Sequence, residues 1–200
     1  MTTDSDPVDT TLLGGRPRDA RIDAAILTAT ADLLVEVGYP NLTLAAIAER
    51  AGTTKPAIYR RWSGKADLVH EAAFPAAPTA MPSSTGDFSV DVRAMVVATR
   101  ELFTTPVVRA ALSGVVAEAA TDPGLSERVL TRFEDSFAAV RALLDEAVMR
   151  GAVQSGVDPD RLLEIIAGAT MLRVLLRPDE ELDQHWVDQI VAIVLHGTMA

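Results

Sequence analysis

Cysteine is absent from the 200-residue chain, which excludes disulfide frameworks, thiolate nucleophiles, zinc–thiolate sites and iron–sulfur clusters and suits a reducing interior. Long apolar runs are absent too. The longest uninterrupted aliphatic stretch, residues 190–195, has six residues, against the roughly 20 that span a bilayer. The opening MTTDSDPVDT carries three aspartates and no Lys or Arg, so the basic and apolar regions of a secretory leader are missing. These absences predict a cytoplasmic protein with no membrane partner. No Gly-rich phosphate loop, nucleophile elbow or His-centred triad signature is visible either, so neither catalysis nor a cofactor is expected.

What is present suits a compact chain: 48% of residues are hydrophobic and 23% charged. The formal net charge of -10 argues against a polyanionic partner, but it is unevenly spread. Residues 1–13 hold three acids and no base, residues 14–65 hold eight bases and five acids, and residues 66–200 hold ten bases and twenty acids. A small basic module that meets a polyanion is thus joined to an acidic body with another task.

Periodicity places helices throughout and no strands. Residues 1–14 lack periodicity and read as a disordered tail. Ile22, Ala25, Ile26, Ala29, Leu33 and Val37 fall at helical spacing, and Gly38 stops that first helix. Thr43 caps a short helix over residues 44–51, Gly52-Thr53 forms a turn, and Thr54 caps a second short helix with Pro56 in its first turn. Ile58 is its buried anchor. Ser63 is expected to cap a fourth helix that ends before Pro75. Residues 75–87, with three prolines among small polar residues, read as a linker between a unit at 15–74 and a unit at 88–200. Five further helices fit the remainder, at about 87–104, 106–120, 124–150, 158–177 and 182–198. Two are apolar on more than one face, which implies a second burial partner. Leu162, Ile166, Ala169, Trp186, Ile190, Ile193 and Val194 are the candidate face of a self-complementary homodimer, the alternative being a central helix pair surrounded within one subunit.

Within the basic module, two helices of about two turns meet at Gly52-Thr53, and Lys55, Tyr59, Arg60 and Arg61 cluster on the second. This is helix-turn-helix geometry, whose second helix fits the roughly 12 Å wide major groove of double-stranded DNA. Residues 15–69 resemble the amino-terminal DNA-binding domain of the TetR family of transcriptional repressors. The likeness rests on Arg16-Pro17-Arg18, Gly38-Tyr39, Leu42-Thr43, Ile47-Ala48-Glu49-Arg50-Ala51-Gly52, the stretch from Lys55 to Tyr59-Arg60-Arg61-Trp62, and Lys65. A second likeness, to the family's carboxy-terminal regulatory domains, rests on fewer residues, from Ala117-Glu118-Ala119-Ala120-Thr121-Asp122-Pro123 to Phe133.

The resemblance implies an all-α protein: a small three-helix helix-turn-helix domain followed by a larger helical effector-binding and dimerisation domain, about nine helices in all. It implies a dimer on a palindromic operator, released by a small-molecule effector of unknown identity. Tyr59, Lys65 and Thr43 match phosphate-contacting positions, and Thr54, Lys55, Ala57 and Arg61 positions near base edges. Thr53 and Arg60 flank them, and Arg16 and Arg18 approach the backbone or minor groove. Ala57 stands where a hydroxyl residue is common, leaving a methyl that suits a thymine methyl group.

Met95, Phe103, Phe133, Phe137 and Met171 are the candidate effector-pocket residues. Arg173, inside an apolar stretch, either meets an anionic effector or pairs with a carboxylate such as Glu118. Glu181, His185 and Asp188 would share a helix face, which reads as a solvated surface rather than a metal site. Two further readings stay open: an activating or effector-independent regulator, and a helical small-molecule-binding protein that has lost DNA binding.

Overall fold

The computed structural model describes residues 20–75 and 84–198. The expected tail, most of the linker, and Arg16 and Arg18 lie outside the described residues. Among the described residues ten helices follow one another: α1 (Ala20–Asn41), α2 (Leu44–Arg50), α3 (Lys55–Tyr59), α4 (Lys65–Ala73), α5 (Phe88–Thr104), α6 (Pro106–Ala119), α7 (Pro123–Arg132), α8 (Glu134–Met149), α9 (Pro159–Leu176) and α10 (Gln184–Thr198). The protein is all-α, with small helices in a helix-turn-helix arrangement followed by a larger bundle.

Local chemistry explains most boundaries. Gly38 leaves helical geometry at φ +73° and kinks α1, so Tyr39–Asn41 form a displaced last turn. The side chains of Thr43, Thr54, Asp87, Thr105, Asp122 and Asp158 accept from backbone N–H groups at the starts of their helices. Pro106, Pro123 and Pro159 sit in first turns, where a missing N–H costs nothing.

Two expectations need correction. Gly64, not Ser63, stands at the cap position of α4. Ser63 instead donates its backbone N–H and hydroxyl to the Asp67 carboxylate, each at 2.9 Å, so an acid inside the first turn reaches back to the chain before it. The single helix expected over 124–150 is two helices, α7 and α8, broken at Phe133 (φ -101°, ψ 6°). The break lets one segment serve two neighbours, because α7 packs on α4 and α6 while α8 packs on α9. The Phe133 ring meets Phe74 edge-on, with centroids 5.4 Å apart.

The core is continuous. Ile26, Leu34, Ile47, Ile58 and Leu68 are fully buried in the amino-terminal helices and join, in one apolar cluster, Met95, Leu144 and Ile166 of the larger bundle. α1 packs on α2, α4 and α6, and α5 on α9 and α10. No single helix among the described residues is long and apolar enough to cross a membrane.

His70 is a titratable group buried in this core, 3% exposed, with its ring 5.4 Å from that of Phe74 and no hydrogen-bond partner at Nε2. Burial pushes its pKa down to about 4, and the positive charges of Arg132 and Arg128 oppose protonation further, against the pull of Asp67. The unfolded chain, with an ordinary histidine near 6.5, binds this proton more readily. The stabilisation is therefore complete above about pH 6.5 and is lost as pH falls toward 4, by an amount on the order of 3 kcal/mol. Urea midpoints measured across that window should decline in the wild type and flatten in His70→Leu; parallel profiles would assign the acid sensitivity to other groups.

Candidate nucleic-acid interface

The α2–α3 unit is held from within by apolar contacts and at its turn by backbone bonds. Ile47, Ala48 and Ile58 are buried. Gly52 takes φ +62°, and the Thr53 N–H donates to the Ala48 carbonyl at 2.8 Å, closing the turn. Arg50 forks onto Glu36 at 2.5 and 2.9 Å, tying the end of α2 to α1. The hydrogen bond holds the Glu36 carboxyl below its ordinary range.

Seen from outside, this unit presents Thr43, Thr54, Lys55, Pro56, Tyr59 and Arg60, all exposed, with Thr53 half-buried beside them. Tyr59 is 59% exposed and carries its phenol outward rather than capping the core. The Thr43 and Thr54 oxygens accept from Ala46 and Ala57 N–H groups as helix caps, leaving each hydroxyl proton free to donate. Lys55 and Lys65 are the only lysines of the chain. Lys55 opens α3, and Lys65 opens α4 half-buried. Its ammonium donates to the Tyr39 carbonyl at 3.1 Å and lies 4.1 Å from the centre of the Tyr39 ring.

Two residues placed near base edges are turned elsewhere. Ala57 is 6% exposed, because a five-residue helix that buries Ile58 buries its neighbour too. Its methyl is not offered to a thymine in this conformation. Arg61 folds back along α3, donating Nη1–H to the Ala57 carbonyl and pairing through Nε with Asp23 of α1. Its side chain is 13% exposed, so it braces α3 against α1. Trp62 is buried and donates its indole N–H to Glu71 at 2.7 Å.

The effector candidates sit in different surroundings. Met95 and Phe103 are core residues, Phe133 belongs to the aromatic contact with Phe74, and Met171 is half-buried against the core. Phe137 lines an open groove of about 620 Å³ between α7, α8 and α9, beside Leu130, Glu127, Glu134 and Glu164. Arg173 pairs with Glu180 at 2.7 Å and not with Glu118. Glu118 accepts the Tyr39 hydroxyl instead. Glu181 precedes α10 and so shares no helix face with His185 and Asp188, and Asp188 pairs with Arg93 at 2.6 Å. No cluster of three metal-ligating side chains occurs among the described residues.

The candidate dimer-face residues differ in exposure. Leu162, Ile166, Trp186 and Val194 are buried within the subunit, while Ala169 and Ile190 are half-buried. Of the seven, Ile193 is exposed, at 65%, and it is joined outside by Ile165, Leu172 and Leu176 at 57%, 59% and 71%. Both faces of α9 are apolar, and periodicity alone does not say which is turned inward.

Similarity to known proteins follows the same architecture. Residues 26–72 match the family described as bacterial regulatory proteins, tetR family, and residues 82–194 match the tetracyclin repressor-like C-terminal domain. The chain is 31% identical, over 86% of its length and 90% of the relative's, to the DNA-binding transcriptional repressor TetR of Mycobacteroides abscessus. It is 29% identical, over 88% of its length and 90% of the relative's, to the uncharacterized HTH-type transcriptional regulator YdeS of Bacillus subtilis (strain 168). A TetR transcription regulator from Haloarcula marismortui shares the fold, with a TM-score of 0.69 over 90% of this chain and all of that one at 21% identity. A helix-turn-helix module with an outward polar row, set on a helical body that matches the family's regulatory domain, makes this chain a DNA-binding transcriptional regulator of the TetR family.

Proposed function

We propose that the protein is a repressor that binds a palindromic operator as a homodimer and is released by a small-molecule effector. The observation that carries the DNA half is the outward row of Thr43, Thr54, Lys55, Tyr59 and Arg60 over the buried anchors Ile47 and Ile58. Lys65 stands at the start of the next helix. Thr43, Tyr59 and Lys65 serve as phosphate contacts and position the module, while Thr54 and Lys55 at the start of α3 face base edges. With Ala57 and Arg61 turned inward, base reading falls mainly to these two.

The homodimer reading is supported by the exposed apolar row on α9 and α10. Gly168, exposed and with open space around its Cβ direction, stands midway between Ile165 and Leu172. About a two-fold axis at Gly168, Ile165 of one subunit meets Leu172 of its partner, which is the self-complementary pairing such an axis requires. Two recognition helices are then spaced to reach successive major-groove faces about 34–36 Å apart. The groove beside Phe137 and Leu130 has the volume that small-molecule sites occupy. An effector that favours a dimer with another spacing lowers operator affinity by population shift.

Fluorescence anisotropy with duplex DNA from the gene's own upstream region, against a scrambled duplex, tests the reading. Selective, salt-weakened binding by two subunits or a multiple is the expected result; equal weak binding to both duplexes would sink it. Lys65→Ala should weaken binding to every sequence and flatten the salt slope by about one unit, whereas a loss confined to one base position would contradict a phosphate role. Ile193→Asp should yield a monomer in light scattering and lower operator affinity roughly a hundredfold. Because the wild type has no cysteine, Gly168→Cys should give a single intersubunit disulfide, and a persistently monomeric band on non-reducing gels would exclude the proposed axis.

A further inference from the structure

Tyr39 touches both halves of the molecule. On one side its carbonyl and ring face hold the Lys65 ammonium, at 3.1 Å and 4.1 Å. On the other, its ring lies so close over α6 that a Cβ at Gly114 would stand 2.1–2.4 Å from three ring carbons, and its hydroxyl donates to Glu118 one turn further along α6. Burial and the Glu118 carboxylate both raise the phenol's pKa, so the hydroxyl keeps its proton and remains a donor. Tyr39 lies on the displaced turn after the Gly38 kink, buried at 7% exposure, and is pinned by contacts outside its own helix.

We propose that Tyr39 is a positioning residue through which α6 sets the phosphate contact of Lys65, with Gly114 as the socket that makes the link possible. The inference rests on the reading of Lys65 as a phosphate contact. The geometry gives it direction. A shift of α6 relative to α1 carries the ring with it, through the socket and the Glu118 bond, and withdraws both the ring face and the carbonyl from the ammonium. Lys65 then loses the preorganisation that holds it at the start of α4. Since phosphate contacts carry no sequence information, a change transmitted by this route weakens binding to all duplexes alike and leaves the order of sequence preference intact. The other side of the same turn is held by Arg128 of α7 on Asp67 at 2.9 Å, so Lys65 sits between two body contacts.

The experiment uses the full-length protein and mixed-sequence duplex DNA, which needs no knowledge of the operator. Salt slopes are measured for the wild type, Lys65→Ala, Gly114→Ala, Tyr39→Leu and the Gly114→Ala/Lys65→Ala double variant, with helicity and thermal midpoints confirming folding. Tyr39→Leu removes the ring without placing an atom in the socket, so the proposal stays testable where Gly114→Ala folds poorly. Gly114→Ala, a substitution in the body, should flatten the slope by about one unit as Lys65→Ala does, and the double variant should be no flatter than either. A purely structural role moves the midpoints and leaves the slope alone. Wild-type slopes in folded Gly114→Ala and Tyr39→Leu beside a flattened Lys65→Ala would overturn the positioning role and spare the phosphate reading. An unchanged slope in Lys65→Ala would overturn both.

Discussion

The burial of α1 is the constraint on which the rest of the architecture depends. Its apolar residues Ile26, Leu33 and Leu34 are almost wholly removed from solvent, and the helix packs on α2, α4 and α6. One helix therefore holds the reading module together and fastens it to the body. Non-directional apolar contacts give the bulk of the free energy, roughly 25 cal/mol per Å² buried, and do not by themselves fix orientation. Orientation comes from the directional contacts at the rim: Arg61 on Asp23, Arg50 on Glu36, and Tyr39 on Glu118.

Charge is distributed to suit this division of labour. The acidic body repels the DNA backbone, while the short basic stretch attracts it, so the molecule approaches a duplex with its module foremost. Both lysines, Lys55 and Lys65, lie in that stretch. Within it, the cations take different roles. Arg50 and Arg61 are engaged by carboxylates of α1 and serve the fold, as the planar guanidinium's fork suits it to do. Lys55 remains outward and exposed. A charge count alone would have credited all of them to the nucleic acid.

Much of the fold was legible because it rests on local signals. Caps at Thr43 and Thr54, Pro56 in a first turn and the break at Gly38 each act within a few residues, and sequence displays such signals directly. The structure departs from the local reading where a distant partner decides. Phe133 breaks a continuous apolar stripe because one end of it must cover α4. Arg61 looks like a free cation until Asp23, far back in the chain, is brought beside it. Leu162 and Ile166 look no different from Ile165 and Leu172 in a helix apolar all round, and only packing against the rest of the bundle separates inner from outer. Tyr39 could be seen in the sequence as part of the Gly38-Tyr39 likeness, but nothing near Glu118 or Gly114 marks them as its partners.

The fit of the Tyr39 ring over Gly114 also bears on how this chain can drift over generations. The two positions are far apart in sequence but share one space, which a single added methyl group would overfill. A lineage that keeps an aromatic ring at 39 is confined to glycine at 114, and one that acquires a side chain at 114 must first shorten what stands at 39. The permitted order of substitutions is thus one-way: the ring goes before the glycine is released.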